Sequence, residues 1–370
     1  MDLHLLYLAL DCPWPANNGL RQRTWQCLRA LHQEGCRITL VALQGGEAPT
    51  EITVQDICDT YWILEHRVGS LSQGRHWGGR AMALLAGQPY SVRRFRSASA
   101  RALLDRLWSG DRWDALVCDT VYSAVNVPAH VEPLIVNHHN IEHRIFDTFG
   151  SHAPRPWLRA AAQWEGRLVQ QWEVAVGRRT AWNLVCSSAD ADRLQEQQPG
   201  ACIQVVPNVA AAATLADPPE PEPDLVVFQG ALDWLPNRDA VEYFLARIWP
   251  LVLRECPQAR LQVVGRHPPP AFVARQRRHP RVEFSGTVAD VRPWVARAAV
   301  AIVPLRMGSG TRLKILEAAA LGKAMVATPL GAEGLDLRPG VEIEIAQQPE
   351  AFAAALSRLL RDPAARAAMG

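Results

Sequence analysis

The sequence is nearly devoid of lysine. Of its 39 basic residues only two are lysines, Lys314 and Lys323, and they stand close together near the C-terminal end. Because arginine and lysine are not interchangeable, we interpret these two positions as ones where arginine would not serve. The alternative is chance placement on a helix surface and in a turn. The formal net charge of +2 gives no reason to expect a nucleic-acid partner.

Paired cysteines and long apolar runs are also absent. None of the eight cysteines forms a C-x-x-C pair, which argues against zinc and disulfides and favours buried free thiols. No run reaches the roughly 18 apolar residues that a membrane span needs. The apolar run Leu3–Leu10 follows Asp2 and has no basic flank, so it is unlike a signal peptide. We therefore expect a cytoplasmic protein.

The pattern of apolar segments predicts two α/β domains. The chain has 370 residues, which suits about two domains. It starts with strand, turn-rich loop, helix and strand, which is typical of a doubly wound parallel sheet. A proline-rich acidic linker over residues 211–223 separates an N-terminal domain, 1–210, from a C-terminal domain, 224–370, in which the pattern restarts. The fold prediction is two Rossmann-like doubly wound domains that face a central cleft.

One stretch of the second domain has the form of an anion site. Residues 299–303 are predicted as a buried strand, residues 308–311 as a glycine loop, and residues 313–321 as a helix capped by Ser309 or Thr311. A helix N-terminus after such a loop offers backbone N–H groups and a positive dipole end to an anion.

Two charged residues open that helix on one face. Lys314 and Glu317 are three residues apart and therefore lie on the same side. A carboxylate in this position could hold a pair of sugar hydroxyls, and a lysine could meet a phosphate.

Two other segments have alternative interpretations. Residues 71–112 carry many arginines and interleaved aromatic residues, which fits an anionic membrane or an anionic acceptor, or a solvated pair of helices. The cluster His138, His139 and His143 follows a predicted strand. Its spacing does not fit metal ligation on a helix, so we expect a single histidine at a ligand site instead.

A long amphipathic helix is predicted over residues 156–179. Tryptophans and leucines recur along it at helical spacing. We interpret these tryptophans as core or domain-packing residues rather than as part of a cofactor site.

Several motifs together resemble one enzyme family. The segments that show the resemblance are FQGALDWLPNRDAV (228–241), VVGRHP (263–268), FSGTVADVRP (284–293), residues 303–335, and HHNIEHRIF (138–146). They resemble retaining, nucleotide-sugar-dependent glycosyltransferases of the GT-B fold, family 4, in a bacterial branch linked to exopolysaccharide and surface-glycan assembly. The resemblance covers the whole chain and is best in the C-terminal half.

The resemblance implies an activity and its substrates. The N-terminal domain would bind a glycan or lipid-linked acceptor and the C-terminal domain a UDP- or GDP-sugar, with no cofactor and no metal. The transferred sugar, a hexose, would keep its anomeric configuration, with the leaving diphosphate taking the acceptor proton. An inner-face membrane association would follow from a lipid-linked acceptor.

The resemblance also assigns residues. Catalytic positions are His139, Lys314 and Glu317, with Glu317 as the ribose anchor. The donor-binding positions are Gly19, Gly230, Asp233, Asn237, Arg266, Thr287, Val288, Gly308, Ser309, Gly310, Thr311, Arg312, Lys314 and Glu317. The acceptor-binding positions are Asn18, Arg93, Arg94 and Asn140.

The chain departs from the family pattern in three places. Ser309 stands where many members have the first glutamate of an E-x7-E element. The usual Arg and Lys pair after the first strand of the C-terminal domain is missing, and Ala231 and Asn237 stand nearby. We therefore expect Lys314, Arg312 and the backbone N–H groups of residues 308–311 to neutralise the diphosphate together. We also expect the usual crossover helix at the C-terminal end to be absent.

Two alternative functions stay open. One is another GT-B activity, such as a nucleotide-sugar epimerase, although extra carboxylates for that chemistry are not seen. The other is a non-catalytic nucleotide-sugar-binding protein of a glycan assembly system. A glycosidase is disfavoured because it needs a pair of carboxylates.

Overall fold

The chain folds into two compact units, each built on a parallel sheet. The computed structural model describes residues 3–45, 53–66, 87–153, 155–210, 215 and 219–370. Unit 1 is Met1–Asn208 and unit 2 is Val209–Gly370. Their sheets have seven and six strands, with every pairing of neighbouring strands parallel. The predicted pair of Rossmann-like domains is confirmed.

The sheet of unit 1 has the strand order β3-β2-β1-β4-β5-β6-β7. Its strands are β1 (His4–Ala9), β2 (Arg37–Gln44), β3 (Thr60–Glu65), β4 (Ala115–Asp119), β5 (Leu134–Asn137), β6 (Thr180–Val185) and β7 (Ile203–Val205). The central strands are buried along their whole length because helices cover both faces, which explains their continuous apolar runs.

The connecting segments of unit 1 are mainly helical. The α-helices are α1 (Gly19–Gln33), α2 (Tyr90–Arg93), α3 (Ala98–Gly110), α4 (His143–His152), α5 (Pro156–Gly177) and α6 (Ser188–Gln197). Short 3-10 helices cover Thr53–Asp56 and Ser123–Asn126. Of the basic segment predicted over 71–112, residues 71–86 lie outside the described residues.

The sheet of unit 2 has the strand order β10-β9-β8-β11-β12-β13. Its strands are β8 (Glu222–Gln229), β9 (Arg260–Val264), β10 (Val282–Gly286), β11 (Ala298–Val303), β12 (Ala324–Ala327) and β13 (Glu344–Ile345). Its helices are α7 (Leu235–Tyr243), a π-turn (Phe244–Ile248), α8 (Trp249–Glu255), α9 (Pro270–Gln276), α10 (Arg292–Arg297), α11 (Leu313–Ala320), α12 (Pro349–Arg361) and α13 (Pro363–Met369).

Two local predictions in and before unit 2 were wrong. Strand β8 begins at Glu222 and so takes in the last residues of the predicted 211–223 linker. Helix α11 is preceded by Arg312 as its N-cap residue with no side-chain cap bond, so neither Ser309 nor Thr311 is the cap. The glycine loop is longer than a capping turn and places both residues before the helix begins.

The tryptophans of α5 also differ from the prediction. Trp157 is 58% exposed and Trp164 is 49% exposed, so neither is a core residue. Trp172, on the next turns of the same helix, is partly buried and donates from Nε1 to the Val121 carbonyl oxygen at 2.9 Å. Helical spacing located these residues on the helix, but it could not show which part of the helix is covered.

All eight cysteines are free thiols, as expected, and most are buried, although Cys202 is exposed. Among the described helices, none has the length and apolar character required to span a bilayer.

Candidate functional site

The candidate donor site of unit 2 forms where two neighbouring strands end. Strands β8 and β11 are adjacent and parallel, so their carboxyl ends lie at one edge of the sheet. Gln229 closes β8 at this edge, and the segment that follows Val303 leads through the glycine loop into α11. This topology brings the side chains of the first turns of α11 against the end of β8.

Lys314 is the charge at the centre of this edge. Its Nζ donates to Asn237 Oδ1 at 2.9 Å and lies 4.7 Å from the centre of the Phe228 ring, a cation–π distance. Burial, helped by the positive charge of Arg312 and opposed by Glu317, lowers the pKa of Lys314 to about 7. An arginine here would stay charged, whereas Lys314 with this pKa can lose its proton near neutral pH.

Gln229 fixes the carboxylate of Glu317. Its Nε2 donates to Glu317 Oε2 at 2.9 Å and to the Lys314 carbonyl oxygen at 3.1 Å, so one amide group holds both the side chain and the helix turn. The Gln229 Oε1 atom is buried and has no hydrogen-bond partner among the described residues. An acceptor of this kind suits a ligand hydroxyl, since buried polar atoms are normally satisfied.

The absence of a side chain at Gly230 makes room for this cluster. A Cβ atom there would lie 2.8 Å from both Asn237 Nδ2 and Lys314 Nζ. At Gly265, after the neighbouring β9, a Cβ atom would lie 2.1 Å from the Gly230 carbonyl oxygen. Both positions therefore require glycine, and the backbone itself forms the floor beside the ammonium group.

The side chain of Arg312 lies against the backbone of the glycine loop. Gly308 has φ of 124°, a conformation that favours glycine, and a Cβ atom there would lie 2.9 Å from Arg312 Nη2. Arg312 Nη1 donates to the Ser309 carbonyl oxygen, and Ser309 is buried. Gly310 and Thr311 complete the turn into α11.

The other predicted donor residues are arranged around the same edge of the sheet. Arg266 follows β9, its carbonyl oxygen accepts from Leu232 N at 3.0 Å, and its buried Nε has no hydrogen-bond partner among the described residues. Thr287 follows β10 and its Oγ1 accepts from His267 N at 3.4 Å. Val288 packs partly buried against the core and the side chain of Asp233 is exposed, so these two have no polar link to Lys314 in the structure.

In unit 1 the predicted His139 lies in a buried polar network centred on Asp119. Its Nε2 is 2.8 Å from Asp119 Oδ1. Tyr7 Oη donates to the same oxygen at 3.0 Å, and Thr24 Oγ1 donates to Oδ2 at 2.5 Å. Burial raises the pKa of Asp119, but the contact with His139 and these hydrogen bonds outweigh it, and the pKa is lowered overall.

Asn137 and Arg23 extend this network to the end of unit 1. Asn137 Nδ2 donates to Asp119 Oδ1 at 2.9 Å, and Arg23 Nη2 donates to Asn137 Oδ1 at 2.7 Å. Arg23 Nη1 also donates to the Val206 carbonyl oxygen and to Asn208 Oδ1, each at 2.9 Å. The network thus joins β4, β5, α1 and the last residues of unit 1.

The residue after Asp119 is in a strained conformation. Thr120 has φ of 76°, in the left-handed region that a β-branched residue rarely adopts. Its Oγ1 is buried and has no hydrogen-bond partner among the described residues. Strain of this kind is concentrated at functional sites and supports the assignment of this sheet edge as one.

A second buried cluster in unit 1 surrounds Glu142. Asn140 Nδ2 donates to Glu142 Oε1 at 3.3 Å, and Glu173 accepts from Glu142 N and from His143 Nδ1, each at 2.7 Å. Burial, followed by repulsion from Glu173, raises the pKa of Glu142 to about 7. The carboxyl group is therefore close to half-protonated at neutral pH.

The predicted acceptor residues do not form a single group. Arg94 lies near Glu142, its guanidinium 4.7 Å from the centre of the Phe95 ring, and burial lowers its pKa. Arg93 closes α2. At the start of α1, Asn18 is the N-cap residue and its side chain accepts from Arg21 N at 3.0 Å, while Gly19 opens the helix.

Four of the residues that sequence reasoning missed lie at strand ends: Asp119, Asn137, Gln229 and Gly265. Each is the last residue of a parallel strand or directly follows one. A search for polar residues and glycines at the carboxyl ends of all predicted strands would have found them. Among the described residues, no group of three or more His, Cys, Asp or Glu is arranged to hold a metal ion.

Part of the chain matches a known protein family. Residues 223–362, nearly all of unit 2, match the family model described as Glycosyl transferases group 1. A search among curated protein sequences gave no match. The match lies within unit 2, which is therefore similar to the domain that this family model describes.

Solved structures extend the likeness to the whole chain. Sucrose-phosphate synthase from Thermosynechococcus elongatus is similar with a TM-score of 0.70 at 17% identity, covering 99% of this chain and 92% of that one. S. aureus TarM, solved with UDP and alpha-GlcNAc-glycerol, gives 0.67 at 8% identity, covering 100% and 94%. Anabaena HepE, solved with UDP-glucose, gives 0.62 at 13% identity, covering 99% and 92%. The fold is that of the GT-B glycosyltransferases.

Proposed function

We propose that the protein transfers a hexose from a UDP- or GDP-sugar to a glycan or lipid-linked acceptor with retention of anomeric configuration. It would then belong to family 4, in the branch that serves exopolysaccharide and surface-glycan assembly. The observation that carries the proposal is the cluster of Lys314, Asn237, Gln229 and Glu317 at the carboxyl edge of the unit 2 sheet. Structural neighbours solved with UDP-glucose or UDP support the donor class.

In this proposal the donor binds through its diphosphate and its ribose. Lys314 and Arg312 neutralise the diphosphate, and the buried Nε of Arg266 is a further donor for a phosphate oxygen. Glu317, held by Gln229, accepts hydrogen bonds from the ribose hydroxyls. Asn237 holds the Lys314 ammonium group beside Gly230, where the family usually supplies a lysine from the segment after the first strand.

The chemical step needs no protein base. The bond between the anomeric carbon and the diphosphate oxygen breaks, and the acceptor hydroxyl oxygen bonds to that carbon on the same face. The acceptor proton passes to the departing diphosphate, whose growing negative charge Lys314 and Arg312 stabilise by their fixed positions. We propose that no metal and no cofactor take part.

In unit 1 we propose that His139 contacts the transferred sugar and that the acceptor binds to this unit. Asp119 holds the ring through Nε2, so His139 is fixed in orientation before any ligand arrives. A lipid-linked acceptor would place the protein at the inner face of the cytoplasmic membrane. That location is part of the proposal.

The test starts with a panel of UDP- and GDP-sugars in a thermal-shift assay. The true donor should raise the melting temperature by mass action. Release of UDP or GDP from that donor is then measured with candidate acceptors, with and without EDTA, in the wild-type protein and in Glu317→Ala.

Release that persists in EDTA and is lost in Glu317→Ala supports the transferase. Donor binding without release at any acceptor would overturn the proposed reaction in favour of a nucleotide-sugar-binding protein. A product of inverted configuration, read by NMR of the anomeric proton, would overturn the retaining mechanism alone.

A further inference from the structure

Helix α5 of unit 1 exposes two tryptophans that the donor and acceptor chemistry does not use. Trp157 and Trp164 are 58% and 49% exposed and stand seven residues apart, so they lie on the same face of the helix. The opposite face is buried against the unit and includes Ala162, Gly166 and Val169. Two large aromatic side chains exposed on one helix face form an apolar patch of the kind that marks an interaction surface.

The surface between these tryptophans is formed by small side chains and is flanked by positive charge. Ala160 and Ala161 are exposed between them and add little bulk. Two exposed arginines flank the group, Arg155 just before the helix and Arg167 one turn beyond Trp164. We call these six residues the tryptophan face: Arg155, Trp157, Ala160, Ala161, Trp164 and Arg167.

The tryptophan face carries no exposed carboxylate. Every residue from Arg155 to Gln171 is described, and Glu165 is the acidic residue among them. Glu165 is partly buried and its Oε1 accepts from Ser91 N at 2.7 Å and from Ser91 Oγ at 2.8 Å. The net charge that this face presents to a partner is therefore positive.

We propose that the tryptophan face docks on the surface of an anionic lipid bilayer. Tryptophan rings settle at the boundary between headgroups and acyl chains, because their apolar rings and N–H groups suit both sides. Arginines beside them attract anionic headgroups and can extend their charged ends into the headgroup layer. The exposed alanines let both rings reach the same depth.

A second copy of the chain fits this face less well. A two-fold contact between two tryptophan faces would bring the same patch of each copy together, and so would set Arg155 and Arg167 against their own equivalents. With no exposed carboxylate on the face, these charges would repel. An anionic bilayer supplies the opposite charge over the whole area.

This inference rests on the membrane location in the proposed function, but its test contains neither donor nor acceptor, so the two can fail separately. Purified full-length protein is mixed with vesicles of phosphatidylcholine alone, or of phosphatidylcholine and phosphatidylglycerol at about 3:1, and the bound fraction is measured by co-sedimentation. We expect binding to the anionic vesicles that is at least about fivefold tighter than to the neutral ones and that weakens as salt rises.

Three variants test whether vesicle binding depends on the tryptophan face or on other parts of the protein. Trp157→Ser with Trp164→Ser should weaken binding to anionic vesicles by about tenfold or more. Ala161→Glu, which keeps both rings, should weaken it through charge by about fivefold. The matched control is Trp182→Ser on β6, since Trp182 is 48% exposed in the same unit, and it should change binding less than about twofold.

Several results would overturn the inference. One is that the wild-type protein does not bind the anionic vesicles. Another is that the double tryptophan variant binds them as tightly as the wild-type protein at an unchanged melting temperature. The third is that Trp182→Ser loses as much binding as the double tryptophan variant. A wild-type dimer in solution that the double tryptophan variant converts to a monomer, without vesicle binding, would assign the face to a second copy instead.

Discussion

Each unit buries a charged side chain at the carboxyl edge of its sheet, but the two charges are stabilised in different ways. In unit 1 Asp119 is surrounded by donors from Tyr7, Thr24 and His139, and its pKa is lowered despite burial. In unit 2 Lys314 has one side-chain acceptor, Asn237, and its pKa falls to about 7 because burial is not compensated. The first charge is already satisfied in the free protein, whereas the second becomes fully stabilised only by an added anion.

Because of this difference we expect the two clusters to have different roles. A carboxylate that is completely paired orients its neighbours and needs no ligand. A lysine that loses its proton near neutral pH is a binding group kept ready for an anion. The following predictions test that contrast, from the largest expected effect to the smallest.

Removing the unit 2 charge should have the largest effect. Lys314→Met is expected to lower kcat/KM for the donor by at least about tenfold and up to about a thousandfold, since it removes charge stabilisation of the leaving diphosphate. Steady-state release of the nucleoside diphosphate measures this. Lys314→Met with unchanged kinetics would remove the lysine from the proposed mechanism.

Lys323 is the matched control, because it is the other lysine and has a structural contact. Its Nζ donates to the Ala298 carbonyl oxygen at 3.1 Å and to that of Ala296. Lys323→Met should destabilise unit 2 by about 1–3 kcal/mol by leaving these carbonyls unpaired, yet keep the donor KM within about twofold.

The carboxylate of unit 1 should act through His139. Asp119→Asn is expected to lower kcat by about 10- to 100-fold with little change in donor KM, because the ring of His139 loses the carboxylate that fixes its orientation. Tyr7→Phe removes one donor to Asp119 but keeps the contact with His139, and should cost less than about threefold. Equal losses in both variants would mean that Asp119 only maintains the fold.

Donor affinity should fall as pH rises through 7. In the proposed mechanism the protonated form of Lys314 binds the diphosphate, and with a pKa of about 7 this side chain is mostly charged at pH 6 and mostly neutral at pH 8. The Kd of the donor should therefore rise by about tenfold between these values. UDP-glucose is the suitable probe because its diphosphate does not titrate in this range, and calorimetry in several buffers should show proton uptake at pH 8. A flat profile in the wild-type protein would contradict the prediction, and Lys314→Met should give one.

The smallest effect is on the stability of unit 1. Folding raises the pKa of Glu142 to about 7, so the folded protein binds more protons than the unfolded chain between about pH 4.3 and 7. Stability from this group is present at low pH and is lost as pH rises through 7. Glu142→Gln should thus stabilise the protein at pH 8 by about 1–3 kcal/mol, and it should do so much less at pH 5. Urea unfolding at both pH values measures the difference, and an equal change at both would contradict it.

The two units also differ in how well the sequence predicted their sites. In unit 2 the glycine loop, Lys314 and Glu317 are neighbours in the chain, so strand-loop-helix spacing alone predicted them, and the structure places them together. In unit 1 the group around His139 comes from residues as distant as Tyr7, Arg23 and Asp119, so residue spacing could not predict it. Sequence reasoning found His139 by resemblance and missed the carboxylate that holds it.

The sequence by itself determined the two parallel sheets, the limits of helices such as α5 and α11 to within two residues, and the glycine loop, since these depend on local apolar periodicity and on glycine and proline positions. Only the tertiary structure decided which polar side chains meet at the strand ends, because strand order, and not chain distance, brings them together. It also decided which tryptophans of α5 are covered, since helical spacing defines a face but not what packs against it. The pKa of Lys314 has the same origin, because burial in the folded unit lowers it and its contacts with Phe228 and Asn237 come from distant parts of the chain.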